Sequence, residues 1–226
     1  MAVSNYYDEI AEVYDAGFQS KVCRIEDEVI YGYISVMLNA SGGVLDVGCG
    51  TGAALGYLPM LDKNCYEGLD ISPGMIRVAR KRHPGFRFTI GDAVDVNRLY
   101  PDVQFDSMFS CFGSLSYARE IAFQPLANAL LSGWGSAVFV LYTARRRKHY
   151  TGAGRIPARF DTAYSATQTL RMAGFRHVHI TGLNFSLWQM RCLPAKTLKR
   201  LAQWEFDNMT GNRANNCHYI VATCRV

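Results

Sequence analysis

Apolar runs alternate with amphipathic segments along most of this chain. The stretches 44–48 and 105–112 give the strongest strand signals, as expected for central strands buried on both faces of a sheet. The full pattern predicts strands over 44–48, 65–71, 86–90, 105–112, 135–142, 176–182 and 216–225. It predicts helices over 53–61, 73–82, 119–131, 162–173 and 194–208, after a helical segment over 5–38.

This alternation predicts an α/β fold. We expect a three-layer, doubly wound, Rossmann-like and mostly parallel seven-stranded sheet with helices on both faces and a small cap. The last strand follows 176–182 without an evident crossover helix packed on the sheet, so we expect it to be antiparallel. The predicted organisation is a single domain over 1–226, with a helical lid (1–42), a ligand-binding core (43–142) and cap insertions (143–160 and 183–214).

Composition fits one globular domain. The chain has 226 residues, of which 49% are hydrophobic and 19% are charged. It contains no run of 18 apolar residues and no basic segment followed by an apolar core at its start, so neither a membrane span nor a secretory signal is expected.

Cysteine usage indicates the redox compartment of the protein, and the net charge bears on its possible partners. The seven cysteines are odd in number and show no C-x-x-C spacing, which indicates free thiols in a reducing cytoplasm and neither a disulfide framework nor a zinc site. The net charge of +5 permits an acidic substrate or nucleic acid but requires neither.

A glycine-rich loop follows the first predicted strand. Gly48, Gly50 and Gly52 stand at alternate positions before a helix, so the backbone can turn sharply and a ligand can lie against the main chain. The pattern Gly48-x-Gly50-x-x-Ala53 also fits the dinucleotide fingerprint, and in either case Asp70 would bind ribose hydroxyls at the end of the second strand. The glycines alone therefore leave the ligand open.

Two other carboxylates favour a ligand other than a dinucleotide. Asp46 stands two residues before Gly48, where it suits an ammonium group or the loop amides and would sit poorly beside a pyrophosphate. Asp92, at the end of the third strand, is placed where an adenine amino group could reach it.

The ordered motifs Val44–Gly52, Gly68–Ser72, Gly91–Ala93 and Phe105–Met108 resemble those of class I S-adenosylmethionine-dependent methyltransferases. The resemblance covers residues 5 to about 142. The segment 6–15 also resembles the lead-in helix of the small-molecule branch, which includes sugar-amine and other natural-product methyltransferases.

The resemblance implies a role for each matching position. Asp46, Gly48, Gly50 and Ser110 would lie along the methionine part of S-adenosylmethionine, and Asp70 would bind its ribose. Ile71 and Met75 would pack near the adenine, while Asp92 and the backbone of Ala93 would bind its amino group. Tyr6, Tyr14 and Arg24 complete the implied cofactor site, with Lys21 as an alternative to Arg24 for the carboxylate.

The implied reaction is direct displacement of the methyl group onto an oxygen or nitrogen of a small molecule, leaving S-adenosylhomocysteine and requiring no metal. Tyr14, Tyr117 and His149 are the catalytic candidates. The segment 110–117 lacks an Asn-Pro-Pro-Tyr loop, which disfavours planar nitrogens of nucleic acid or protein glutamine. It also lacks the histidine that sugar-amine enzymes commonly carry near the position of Tyr117.

Structural and functional alternatives remain open at this point. Asp46, Asp70 and Asp92 could be caps for backbone amides, the N-terminal tyrosines could be packing residues, and 145–148 could be a solvated basic loop. An RNA or protein methyltransferase using the basic 145–159 segment, a nicotinamide-dependent oxidoreductase and a non-catalytic cofactor-binding protein are the rival functions. The expected partner is a small-molecule acceptor, with neither nucleic acid nor membrane, for a monomer or homodimer.

Overall fold

The computed structural model describes residues 2–118, 120–147 and 156–226, with side chains omitted at 146 and 147. The catalytic candidate His149 and most of the basic segment 145–159 lie outside the described residues.

The described residues form a seven-stranded sheet in the order β3-β2-β1-β4-β5-β7-β6. Its strands are β1 (Val44–Val47), β2 (Tyr66–Asp70), β3 (Arg87–Ile90), β4 (Ser107–Ser110), β5 (Ser136–Tyr142), β6 (Arg176–Leu183) and β7 (Tyr219–Arg225). The pairings among β1 to β5 are parallel, whereas β7 runs antiparallel to both β5 and β6. The predicted fold class is confirmed, including the reversed last strand.

The helices of the described part are α1 (Val3–Ile10), α2 (Lys21–Met37), α3 (Ala54–Tyr57), α4 (Pro73–Arg82), α5 (Val96–Leu99), α6 (Ser114–Tyr117), α7 (Phe123–Asn128), α8 (Ala144–Arg147), α9 (Ala163–Met172) and α10 (Ala195–Asn208). Several begin at side-chain caps. Ser72 accepts from the amide of Met75 and is followed by Pro73, while Thr162 and Ser165 form a capping box.

The helices cover both faces of the sheet. On one face α2, α3, α4 and α10 bury Ile34, Leu55, Ile76 and Leu198 in one apolar cluster. On the other face α7 and α9 bury a second cluster that includes Phe123, Leu126 and Leu170. Because both faces are covered, the central strands β1, β4 and β5 are buried along their whole lengths.

The predicted helical segment 5–38 is wrong as a single unit. It divides into α1, a 3-10 turn (Tyr14–Phe18) and α2, which begins anew at its cap Ser20. The predicted helix 53–61 shortens to α3, and Pro59 follows two residues after its end. The predicted helix 119–131 becomes a 3-10 turn (Glu120–Ala122) followed by α7.

The segment 183–214, expected to form part of a cap, has two environments. Its helix α10 packs against α2 and β6 as part of a helical layer, whereas residues 188, 189 and 191 border a cavity. Within the described ranges, no helix is both long and apolar enough to cross a membrane.

Candidate functional site

A cavity of about 1140 Å³ opens at the carboxyl edge of the sheet. Its walls come from α1, the 3-10 turn Tyr14–Phe18, α2, the glycine loop after β1 and the loop after β4. The last residue of β5, residues in the loop after β6 and residues at the start of β7 close the remaining side. Ligands of open α/β sheets bind at this edge, where the strands end and the loops diverge.

The glycine loop meets the cavity through its main chain. Gly48, Gly50 and Gly52 all have positive φ angles of 74°, 54° and 76°. A methyl group added at Gly48 would lie 2.3 Å from the Cβ atom of Ser114, whereas one added at Gly50 would meet no protein atom within 4 Å. Gly48 is therefore required by packing, and Gly50 leaves open space for a ligand.

Asp46 lies beneath this loop and is 2% exposed. The hydroxyl of Tyr66 donates to its Oδ2 atom at 2.8 Å. Burial raises the pKa of Asp46 to about 7, and the charge of Asp70 adds to the increase while the Tyr66 hydrogen bond opposes it.

Asp70 shapes the loop from the end of β2. It accepts hydrogen bonds from the backbone amides of Gly50 at 2.8 Å and Ser72 at 2.9 Å. Burial raises its pKa, against the lowering effect of these amides. The capping role considered from the sequence is therefore present at Asp70, and a ribose contact would use the same carboxylate.

The other predicted cofactor residues lie at or just after the ends of β2, β3 and β4, apart from Met75 in the first turn of α4. Asp92 accepts from the amide of Val94 at 3.1 Å and so caps the 3-10 turn that begins at Ala93. Ile71 is 38% exposed, whereas Met75 is buried beneath α1. Ser110 is fully buried, and its hydroxyl has no hydrogen-bond partner among the described residues.

The N-terminal segment is fastened over the sheet edge by two carboxylates. Asp8 accepts from the hydroxyl of Ser72 at 2.6 Å and the amide of Gly74 at 2.7 Å. Asp15 accepts from the hydroxyl of Thr51 at 2.9 Å and pairs with Arg82. The sequence reasoning did not single out Asp8 or Asp15.

Tyrosine rings fill the space between this segment and β5. The ring of Tyr7 meets the ring edges of Tyr14 and Tyr117 at centroid distances of 6.0 and 5.7 Å. The hydroxyls of Tyr117 and Tyr142 are 3.3 Å apart. Burial raises the pKa of Tyr14, and Tyr142 and Asp70 reinforce the effect, so its phenol stays protonated at neutral pH.

The sequence reasoning also missed two consecutive carboxylates on α2, Glu26 and Asp27, which both border the cavity. Glu26 is 4% exposed and accepts from the side-chain amide of Asn184. The available signal was an acidic residue between the buried positions Ile25 and Val29 of an amphipathic helix.

The cavity brings together only part of the predicted set. Tyr6, Tyr14, Arg24, Gly48, Gly50 and Tyr117 border it. The positions outside the described lining lie beneath the glycine loop, at the neighbouring strand ends or in the first turn of α4: Asp46, Asp70, Ile71, Met75, Asp92, Ala93 and Ser110. The residues at the strand ends continue from the cavity along the carboxyl edge of the sheet, so the two sets together outline one elongated site.

Comparison with known proteins identifies the type of domain. Residues 44–133 match a family model described as a methyltransferase domain. The chain is 34% identical over 110 residues to a fatty-acid O-methyltransferase of Mycolicibacterium smegmatis, which covers 47% of this chain and 38% of that protein. It is 32% identical over 122 residues to a Streptomyces fradiae dTDP-3-amino-3,6-dideoxy-alpha-D-glucopyranose N,N-dimethyltransferase, covering 52% and 47%. The chain thus spans less than half the length of these two relatives.

A solved structure shares the whole fold. It is a Thermotoga maritima protein described as a SAM-dependent methyltransferase and possible histamine N-methyltransferase. It superposes with a TM-score of 0.67 at 17% identity, covering 96% of this chain and 97% of that one. At this identity the likeness shows the fold alone.

Proposed function

This chain carries a class I S-adenosylmethionine-dependent methyltransferase domain, and from that premise we propose that the protein methylates an oxygen or nitrogen atom of a small-molecule acceptor. The observation that carries the proposal is the cavity of about 1140 Å³ beside the glycine loop. Its volume exceeds what one small ligand needs, so it offers room for part of the cofactor and an acceptor together.

Two features of the strand ends support a fit to the cofactor. The open space at Gly50 allows a ligand to touch the main chain, and the buried hydroxyl of Ser110 has a hydrogen bond still to make within the described structure. Both support the assignment of the methionine part to the space between β1 and β4. Asp70 for the ribose and Asp92 for the adenine amino group remain our assignments further along the edge.

S-adenosylmethionine would supply a methyl group already activated on a sulfonium. The chain's own task is then to orient the acceptor and exclude water. The rings of Tyr7, Tyr14 and Tyr117 form an aromatic wall at the cavity, and the protonated phenol of Tyr14 can donate a hydrogen bond. We assign the orienting role to Tyr14 and Tyr117, and His149 remains a further candidate.

The substrate class rests on the relatives and on the enclosed site. One relative is named for a fatty acid and one for a nucleotide-linked amino sugar, and both are small molecules. We propose the same broad class here. A cytoplasmic location, suggested by the cysteine content, and a monomeric or homodimeric state are part of the same proposal.

The test is methyl transfer from labelled S-adenosylmethionine to three acceptor pools: a small-molecule panel, total RNA and a protein extract. We expect label in small molecules, and a Gly50→Ala preparation purified in parallel controls for contaminating enzymes. Label that enters RNA, and that falls steeply as salt is added, would contradict the proposal and favour the RNA-methyltransferase rival.

A further inference from the structure

Charge is distributed unevenly across the cavity. Glu26, on the inner side, is almost fully buried. The cationic side chains Arg24 and Arg191 stand at exposed positions, where they donate to the side chain of Gln19 and the carbonyl of Trp188 respectively. Among the carboxylates and arginines of the described lining, Glu26 is the most deeply buried, while Arg24, Arg82 and Arg191 are exposed.

Asp27 has no cationic partner in the described part of the chain. Other carboxylates nearby do, since Asp15 pairs with Arg82 and Glu28 pairs with Lys199. The ion pairs found among the described side chains leave Asp27 out, although it borders the cavity.

The surroundings of Asp27 are aromatic. The hydroxyl of Tyr57 donates to its Oδ2 atom at 3.0 Å, and the Tyr57 ring stacks on Tyr31 at a centroid distance of 4.9 Å and an interplanar angle of 15°. Tyr31 in turn presents its ring to the edge of Phe112, in the loop after β4. A carboxylate thus stands at one end of a chain of rings that leads to the loop after β4, near the space that we assign to the methionine part of the cofactor.

This combination selects among acceptor classes. A protonated amine would supply the missing positive charge and an N–H donor to Asp27, and the aromatic faces would add cation–π attraction. An acceptor carboxylate would be repelled, and an uncharged alcohol would leave the half-buried carboxylate without a countercharge.

We propose that the acceptor is an amine and that Asp27 binds its ammonium group. The inference rests on the proposed methyltransferase function and narrows it to nitrogen. Before transfer the ammonium gives one proton to solvent. The nitrogen lone pair then forms the N–C bond while the C–S bond breaks, and the electron pair of that bond stays on sulfur.

The test compares matched amines and alcohols in the presence of saturating S-adenosylhomocysteine. Two pairs are 2-phenylethylamine with 2-phenylethanol and glucosamine with glucose. Calorimetry is performed on wild type, Asp27→Asn and Glu28→Gln. Asn retains the shape and the Tyr57 hydrogen bond, and thermal melting verifies folding. Glu28 is the matched control because it lies on the same helix, already has a cationic partner and does not line the cavity.

The wild type should bind at least one amine about tenfold or more tighter than its alcohol, as charge-assisted hydrogen bonds imply. This preference should disappear in Asp27→Asn and persist in Glu28→Gln, while the affinity for S-adenosylhomocysteine stays within about twofold throughout.

Equal binding of amine and alcohol, an unchanged preference in Asp27→Asn, or no amine binding beside bound S-adenosylhomocysteine would overturn the inference. Weaker S-adenosylhomocysteine binding in Asp27→Asn would instead assign Asp27 to the ammonium of the cofactor. Failure of the wild type to bind S-adenosylhomocysteine would reject the proposed function itself.

Discussion

At the scale of single residues, the glycine loop separates the requirements of folding from those of binding. Gly48 is pressed against Ser114, so its missing side chain is a packing requirement. Gly50 has the same backbone handedness but faces open space. Substitutions at these two positions should therefore have different consequences, although the sequence presents them as equivalent.

Gly50→Ala should impair ligand binding as well as stability. The left-handed backbone costs a residue with a Cβ atom roughly 1–2 kcal/mol, while the methyl group occupies space that we assign to the ligand. We expect affinity for S-adenosylhomocysteine to fall at least about tenfold by calorimetry. Gly133→Ala is the control, because Gly133 also has positive φ and open space but lies in an exposed turn away from the cavity. Equal affinities for the two variants would contradict the assignment.

Asp46 links stability to pH. Burial raises its pKa to about 7 in the folded protein, against the ordinary value of 3.8, which we take for the unfolded chain. As pH rises from 4 to 7, the unfolded state loses this proton while the folded state retains it, so the free energy of unfolding falls and then levels off.

The variant Asp46→Asn lacks this titration and should be the more stable protein above pH 7. The difference between the two proteins should change by at most about 4 kcal/mol between pH 4 and pH 8. Urea unfolding at several pH values measures it, with Asp102→Asn, at an exposed turn, as the control for loss of one charge. A difference independent of pH would show that Asp46 is not held in its protonated form.

At the scale of elements, α1 depends on its attachment to α4. It has eight residues and none of them is fully buried, so it is too short to persist alone in water. Asp8 supplies the attachment through Ser72 and Gly74. The helix covers Met75, a predicted adenine neighbour, and thereby closes one end of the site.

Asp8→Ala should release this helix without unfolding the sheet. Loss of two partly buried hydrogen bonds should cost about 1–3 kcal/mol. Amide hydrogen exchange should accelerate over residues 3–10 and remain slow in β1 and β4. Glu9→Ala provides the comparison, since Glu9 is exposed on the same helix. Unchanged exchange over 3–10 in Asp8→Ala would mean that α1 is held by its apolar contacts instead.

The sequence predicted the elements whose signals are local. The strands follow from apolar runs. The start of α4 follows from the cap Ser72 and Pro73, and the end of α9 follows from Gly174. The break between α1 and α2 has one local signal, the cap Ser20, but the course of the chain between the two helices depends on Asp15, which accepts from Thr51, 36 residues away. The acidic lining from α2 likewise depends on how that helix packs across the sheet, which periodicity alone does not define.

At the scale of the whole molecule, topology explains why the site residues meet. Parallel β1, β2, β3 and β4 end at one edge, so the glycine loop, Asp70, Asp92 and Ser110 are brought into one row although 62 residues separate the first from the last. The position of the acceptor space follows from the rest of the fold. The end of β5, the loop after β6 and the start of β7 complete the cavity on the side away from Asp92.

The same architecture makes ligand binding a property of the folded chain only, because its contacts come from distant segments. S-adenosylhomocysteine should therefore raise the melting temperature in a concentration-dependent manner. A stabilising effect of NADH would point instead to the dinucleotide fingerprint that Gly48, Gly50 and Ala53 also satisfy.

The most direct test of this account is calorimetric titration of the purified wild type with S-adenosylhomocysteine and, separately, with NADH. We predict saturable micromolar binding of S-adenosylhomocysteine and no binding of NADH. Binding of NADH alone would contradict the account and identify the glycine loop as a dinucleotide-binding loop. Binding of neither would reject the cofactor site that the cavity, the glycine loop and Ser110 support.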